Sequence, residues 1–298
     1  MILGVLRMLG RVIGLLAGLY LAVVGVRGSH VLVHPQTRPF LPDADGGPAT
    51  PADIGLEYES VRFSTDDGVT LSGWLIPAGR ETRTAVIVMH GFSGHRLPEL
   101  AAFVPWLQEC HHVLQFDFRG HGESDASLVT LGPHERRDVA AAVRFMESRG
   151  LGPTALFGIS MGAAIAIVSA PDLPVAAVVA DAPFAELRHP VASRMRQIGY
   201  PLARIGARLV VAGTMLRARS RLVDPIRSVA RIAPRALLVI APREDRLISW
   251  RQGERLYKAA GEPKEFVVVE GAGHAEAYAV DPVAYRSRVL GFLERHLG

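Results

Sequence analysis

Six short apolar runs, each nearly continuous in Val, Ile, Leu and Ala, constrain this chain more than anything else in it. They fall at 85–89, 113–116, 154–157, 175–180, 236–240 and 266–269. A strand with one buried face alternates apolar and polar residues, whereas a continuous run suits a strand buried on both faces. The segments at 98–108, 134–149, 161–170, 250–260 and 282–297 have the length and composition of helices. Strand–helix alternation predicts an α/β fold with a mostly parallel sheet covered on both faces. Ahead of it, 61–63 and 71–76 flank Asp67-Gly68, a hairpin signal that brings the strand count to eight. With 298 residues, 49% of them apolar, the chain can bury such a core, and global disorder is excluded.

The N-terminus has a different character. Residues 1–26 are apolar except for Arg7 and Arg11, and 12–26 is a run of 15 residues without a charge. As a helix that run is roughly 22 Å long, short of the ~30 Å hydrocarbon layer unless 6–9 insert and Arg7 snorkels. A single-pass membrane anchor at 1–28 is the leading expectation. A cleaved secretory signal, giving a secreted protein, is the alternative, although Val26-Arg27-Gly28 is a poor cleavage site; a soluble helix is the third reading. Residues 29–55 hold Pro35, Pro39, Pro42, Pro48, Pro51 and Gly46-Gly47. They are expected to form a spacer without regular helix, leaving 56–298 as a domain mechanically separate from the anchor. The lone Cys110 has no internal disulfide partner. The net charge of +4 is almost all arginine, Lys258 and Lys264 being the only lysines. Basic residues do not cluster beside stacking aromatics, so no nucleic-acid partner is expected.

Chemistry concentrates at the ends of the apolar runs. Gly158-Ile159-Ser160-Met161-Gly162 fits G-x-S-x-G, with a strand before it and an Ala-rich helix start after it. That context puts Ser160 on a sharp, strained turn with its hydroxyl exposed, the flanking glycines letting strand and helix approach closely. The helix start also brings amides and a positive dipole end to the same place. Downstream, the run at 236–240 leads into Ala241-Pro242-Arg243-Glu244-Asp245, placing acids at the carboxyl end of a strand, where α/β sheets build sites. The run at 266–269 leads into Glu270-Gly271-Ala272-Gly273-His274, small residues that give a loop able to carry an imidazole over the sheet edge. Glu244 and Asp245 compete for the acid role, with Asp181 a more distant rival. His90 is a second histidine near a strand end, read as a prop for its loop.

The residues His90-Gly91-Phe92, Asp117-Phe118-Arg119-Gly120-His121-Gly122-Glu123-Ser124, the Ser160 pentapeptide, Asp245 and Gly271-Ala272-Gly273-His274 together resemble the α/β-hydrolase superfamily across 56–298. The resemblance implies the α/β-hydrolase fold, with Ser160 as nucleophile, Asp245 as orienting acid and His274 as general base. It implies an oxyanion hole from the Met161 and Phe92 amides, and a structural turn at 117–124. It places a helical lid at about 187–232, where ten arginines stand against one acid, Asp224, and Ile198, Leu202, Ile205, Leu209 and Val210 recur at helical spacing. That lid reads equally as a basic amphipathic cap for anionic lipid or acidic substrate, or as a solvated cover over its own pocket. With its N-terminal segment the chain is similar to the membrane-anchored α/β-hydrolase-domain branch. The implied activity is hydrolysis of a small-molecule or lipid ester through an acyl-enzyme, with no metal or organic cofactor. A serine peptidase of the prolyl-oligopeptidase kind and a non-catalytic binding protein are the alternatives.

Overall fold

A computed structural model describes residues 2–35 and 47–298, so Pro39, Pro42 and Gly46 of the expected spacer lie outside the described residues. Eight strands form one sheet: β1 (Glu59–Ser64), β2 (Thr70–Ile76), β3 (Ala85–Met89), β4 (His112–Phe116), β5 (Thr154–Ile159), β6 (Ala177–Asp181), β7 (Ala236–Pro242) and β8 (Lys264–Val269). Their order is β1-β2-β4-β3-β5-β6-β7-β8. The β1–β2 and β2–β4 pairs are antiparallel, and the other pairs are parallel. The eight-stranded, mostly parallel sheet expected from the apolar runs is the one observed.

The helices are α1 (Ile2–Val33), α2 (Leu97–Leu107), α3 (Glu135–Ser148), α4 (Met161–Ser169), α5 (Arg188–Gln197), α6 (Ala203–Arg217), α7 (Pro225–Ser228), α8 (Trp250–Ala259), α9 (Ala277–Val280) and α10 (Pro282–Leu297). Successive strand residues point to opposite faces, and two apolar layers result. Ile87, Met89, Leu114, Leu156, Val178 and Val239 pack with α3, α4 and Leu256 of α8 on one face. Val86, Val88, Val113, Phe157, Val179 and Leu238 pack with α2 and α10 on the other. This double burial is why the strands lack polar alternation; each such side chain contributes about 1.5–3 kcal/mol by leaving water.

Two expectations about the N-terminus need correction. The boundary at 28 falls inside a helix, because α1 continues through Ser29–Val33. Those five residues contain no proline; Pro35 is the first, and it disfavours helical backbone at His34 just before it. Nor is α1 mechanically separate. Val24 joins Ala192, Met195, Ala203, Ala207 and Val210 in a small core of its own. Tyr20 Oη donates to the Pro201 carbonyl at 3.0 Å, and Arg217 Nε donates to Ser29 Oγ at 3.0 Å. At the helix end, Val129 N donates to the Val33 carbonyl at 3.0 Å. Small residues allow the close approach: a Cβ at Gly25 would lie 3.1 Å from Leu209 Cβ, and one at Gly213 would lie 2.7 Å from Ser29 Oγ. On the other side of the undescribed residues, Pro51 is buried in a 3-10 turn, Pro51–Ile54, and Ile54 and Leu56 pack on the α2–α10 layer.

Candidate active site

β5 delivers its last residue, Ile159, directly into a turn at Ser160, and α4 starts at Met161. Ser160 sits at φ 55°, ψ −107°, a backbone region that non-glycine residues rarely occupy. The glycines are required by packing. A Cβ at Gly158 would overlap the Gly162 carbonyl and the Ala163 nitrogen, and a Cβ at Gly162 would overlap the Met89 carbonyl of β3. The strained turn is held by its neighbour strand, the Ser160 amide donating to the Asp181 carbonyl at 2.8 Å.

Three side chains from three strand ends meet there. His274 Nε2 lies 2.9 Å from Ser160 Oγ, and His274 Nδ1 lies 2.6 Å from Asp245 Oδ2. The carboxylate can only accept, so Nδ1 carries the proton and Nε2 is left to accept from the Ser160 hydroxyl. Asp245 is fixed in turn: its Oδ1 accepts from the Leu247 and Ile248 amides at 2.8 and 2.7 Å. Its side chain is wholly buried while that of His274 is partly open, so the pair has one sheltered end and one end facing the site. Glu244 does not share this role; its side chain is exposed, and its amide donates to the Ala272 carbonyl at 2.9 Å.

The loop after β3 closes over the same point. An ideal Cβ on Gly91 would stand 3.6 Å from Ser160 Cβ, so the backbone of this loop passes close to the nucleophile. Met161 is the first residue of α4, so its amide has no partner within the helix. His90 shapes this loop. Its Nε2 accepts from the Phe118 amide at 3.0 Å, so Nδ1 is the protonated nitrogen and donates to the Gly91 carbonyl at 2.7 Å. Full burial, with His121 close by, pushes the His90 pKa well below the usual histidine range, which keeps this neutral tautomer in place.

Residues 117–124 form a buried polar knot beneath the loop. Asp117 accepts from the Arg96 amide at 2.8 Å and from the Glu123 amide at 2.9 Å, and it pairs with the Arg96 guanidinium, which also meets Glu123. Arg96 lies 4.0 Å over the Trp74 ring. Gly122, at φ +49°, has no space for a Cβ against the Asp117 carboxylate. Asp181 belongs to the site's wall. Its carboxylate accepts from Tyr285 Oη at 2.7 Å, and burial pushes its pKa up to about 6. Nothing in the sequence marked Tyr285 as its partner; the two are joined only by the fold. The lid reaches the site through α5, where Ser193 Oγ and Gln197 Nε2 donate to the Arg246 carbonyl at 3.2 and 3.0 Å, next to Asp245.

Comparison with known proteins agrees with this architecture. Residues 80–231, just over half of the chain, match the family model described as serine aminopeptidase, S33. The chain belongs to this family of the α/β-hydrolase superfamily. It is 32% identical to the Mycobacterium tuberculosis protein Rv2307c over 283 residues, covering 91% of this chain and 93% of that one. It is 27% identical to the Penicillium polyketide transferase grgF, over 81% of this chain and 98% of that protein. Among solved structures it is similar to the Pyrococcus furiosus esterase Pf2001, at 29% identity and a TM-score of 0.73, covering 84% of this chain and 95% of the esterase.

Proposed function

We propose that this chain hydrolyses carboxylic esters through an acyl-enzyme on Ser160. The observation that carries the reading is the continuous Ser160–His274–Asp245 line, with hydrogen-bonding distances of 2.9 and 2.6 Å. Ser160 Oγ attacks the ester carbonyl carbon while His274 Nε2 takes its proton. In this reading the resulting oxyanion is held by the Met161 and Phe92 amides. His274 then gives the proton to the departing alcohol, and the acyl group stays on Ser160. Water repeats the sequence, with His274 as base, to release the acid and free Ser160. Asp245 keeps the imidazole in the required tautomer and stabilises the imidazolium.

The likeness to the Pyrococcus esterase supports ester substrates. Peptide substrates are the second reading, favoured by the family model's description. An aminopeptidase needs a carboxylate for the substrate ammonium. The lid, however, carries ten arginines, and its one acid, Asp224, is buried and accepts from the Leu187 amide at 2.9 Å. A panel of nitrophenyl esters of increasing acyl length, run beside aminoacyl nitroanilides, separates the two. Turnover of esters that is lost in Ser160→Ala supports the reading; turnover of the anilides alone overturns it.

α1 is read as an uncleaved membrane anchor. Within it the 29-residue span Val5–Val33 is long enough to cross a bilayer and includes an 18-residue stretch of mean hydropathy 2.0. A signal cleaved near Ser29 would remove the residues that seat Gly206 and Val210 of the lid, which favours retention. Mass spectrometry of the mature N-terminus decides: a protein starting near Ser29 contradicts the anchor.

A further inference from the structure

We propose that helix α6 of the lid is seated in an anionic bilayer alongside α1, so that acyl substrate reaches Ser160 from the membrane side. The inference rests on the reading of α1 as a membrane segment and deepens the esterase reading by naming the substrate's source.

The first observation is how α1 and α6 run. Tyr20 meets Pro201, Gly25 meets Leu209, Gly28 meets Val210, and Ser29 meets Gly213 and Arg217. The helices are therefore parallel neighbours. They stay together for about ten residues, roughly 15 Å, which is the hydrocarbon depth of one leaflet. Wherever the second half of α1 goes, α6 goes with it.

The second is the exposed face of α6, which borders α1 at Leu209 and is otherwise clear of α1 and the domain. Ile205, Leu209, Ala212 and Leu216 are exposed at i, i+4, i+7 and i+11, one stripe of the helix. Leu216 is 81% exposed, and Ile198 and Leu202 at the hairpin tip are 55% and 48% exposed. In water so continuous an apolar surface is costly. It is also contiguous, through Leu209 and Gly25, with the exposed apolar surface of α1, where Leu15, Leu16, Leu19 and Val23 stand free.

The third is where the charges lie. Arg217, Arg219 and Arg221 gather at the C-terminal end of α6, level with Arg27 and His30 of α1, and all five are exposed. A band of cations at the end of an apolar pair is the pattern that meets anionic headgroups. Arg204 and Arg208, roughly 20 and 14 Å along the helix from Arg217, lie on the stripe's edge away from α1, so that edge of α6 is the one turned from the hydrocarbon. The lid is also mechanically connected to the chemistry, since α5 holds the Arg246 carbonyl beside Asp245. Met195 of α5 packs on Ala203 and Ala207 of α6, so an acyl chain leaving the lipid next to α6 meets the element that borders Asp245.

The test uses the full chain reconstituted into phosphatidylcholine vesicles, with and without phosphatidylglycerol. Nitroxides are placed by Ile205→Cys, by Leu216→Cys and, on the exposed edge strand β1, by Arg62→Cys, each in a Cys110→Ser background. Circular dichroism melts show that each variant is folded. At 205 and 216 the label should collide with oxygen several-fold more than with a water-soluble nickel chelate, and at 62 the ratio should reverse. The preference for oxygen should grow when phosphatidylglycerol is present and lose that growth in Arg219→Gln/Arg221→Gln. Labels at 205 and 216 as nickel-accessible as at 62 would overturn the proposal. So would dipolar broadening that disappears on spin dilution, since a second copy would then cover the stripe. No response to phosphatidylglycerol removes the headgroup half. Flotation of the vesicles separates the layers of inference: a chain that does not float overturns the anchor as well, whereas the esterase reading is judged by ester turnover alone.

Discussion

At the residue scale, the division of labour between adjacent acids is decided by one backbone step. Asp245 points into the sheet's end and meets His274 at 2.6 Å, whereas Glu244 faces solvent. Asp245→Asn should lower kcat by about 10⁴-fold, because the amide stabilises the wrong imidazole tautomer, whereas Glu244→Gln should change it little. Steady-state kinetics on a soluble ester check both, and the reverse pattern would move the orienting role to Glu244. Asp181 yields a prediction in stability. Its folded pKa is raised from 3.8 to about 6, so between those values the native state holds a proton that the unfolded chain has released. Stability therefore falls as pH rises through that window, by roughly 3 kcal/mol for about two units. Asp181→Asn keeps an oxygen to accept from Tyr285 Oη and cannot ionise. Melts from pH 4 to 7 should show the variant gaining on the native protein as pH rises; parallel curves would mean Asp181 does not titrate there. Ser160, His274 and an acid at 244–245 were legible in the sequence because each follows a recognisable strand, while the choice of Asp245 over Glu244 rested on the resemblance alone. The Asp181–Tyr285 bond was not legible, because 104 residues separate its partners and neither lies in a motif.

At the element scale, the eight strands and helices α2, α3, α4, α8 and α10 were readable to within about two residues, whereas α5, α6, α7 and α9 were not given bounds. Buried parallel strands cannot hide their composition: the runs at 85–89 and 154–157 are β3 and the body of β5. The pairing of α1 with α6 was not readable, since both helices carry small residues whose use depends on the partner's position. Its signature is Gly25 with Ser29 on α1 and Gly206 with Gly213 on α6, small residues that let backbones approach. Gly213→Leu would drive a Cβ to 2.7 Å from Ser29 Oγ and 2.8 Å from Ser29 Cβ. Overpacking of that kind costs about 1–3 kcal/mol, enough to lower Tm by several degrees. Ala212→Leu, one residue earlier on the exposed stripe, should leave Tm nearly unchanged. Equal Tm values for the two variants would show that the helices do not pack as described.

At the scale of the whole molecule, the apolar N-terminus, the arginine-rich lid and the Ser160–His274–Asp245 site form one connected structure. The sequence showed each part without the joints, because a run of prolines at 35–51 reads as a break whatever precedes it. A chain beginning at Pro51 keeps every strand and the triad but loses Tyr20, which bonds Pro201 just before α6, and Val26 and Ser29, which accept from Arg217 of α6. It should melt several degrees lower and aggregate through the uncovered face of α6; an unchanged Tm would show that α1 is only a tether. The central claim, that Ser160 is an activated nucleophile, is tested most directly by a fluorophosphonate followed by peptide mass spectrometry. A stoichiometric adduct on Ser160, abolished in His274→Ala, is the predicted result. No adduct on the folded protein, or one on another residue, would contradict it.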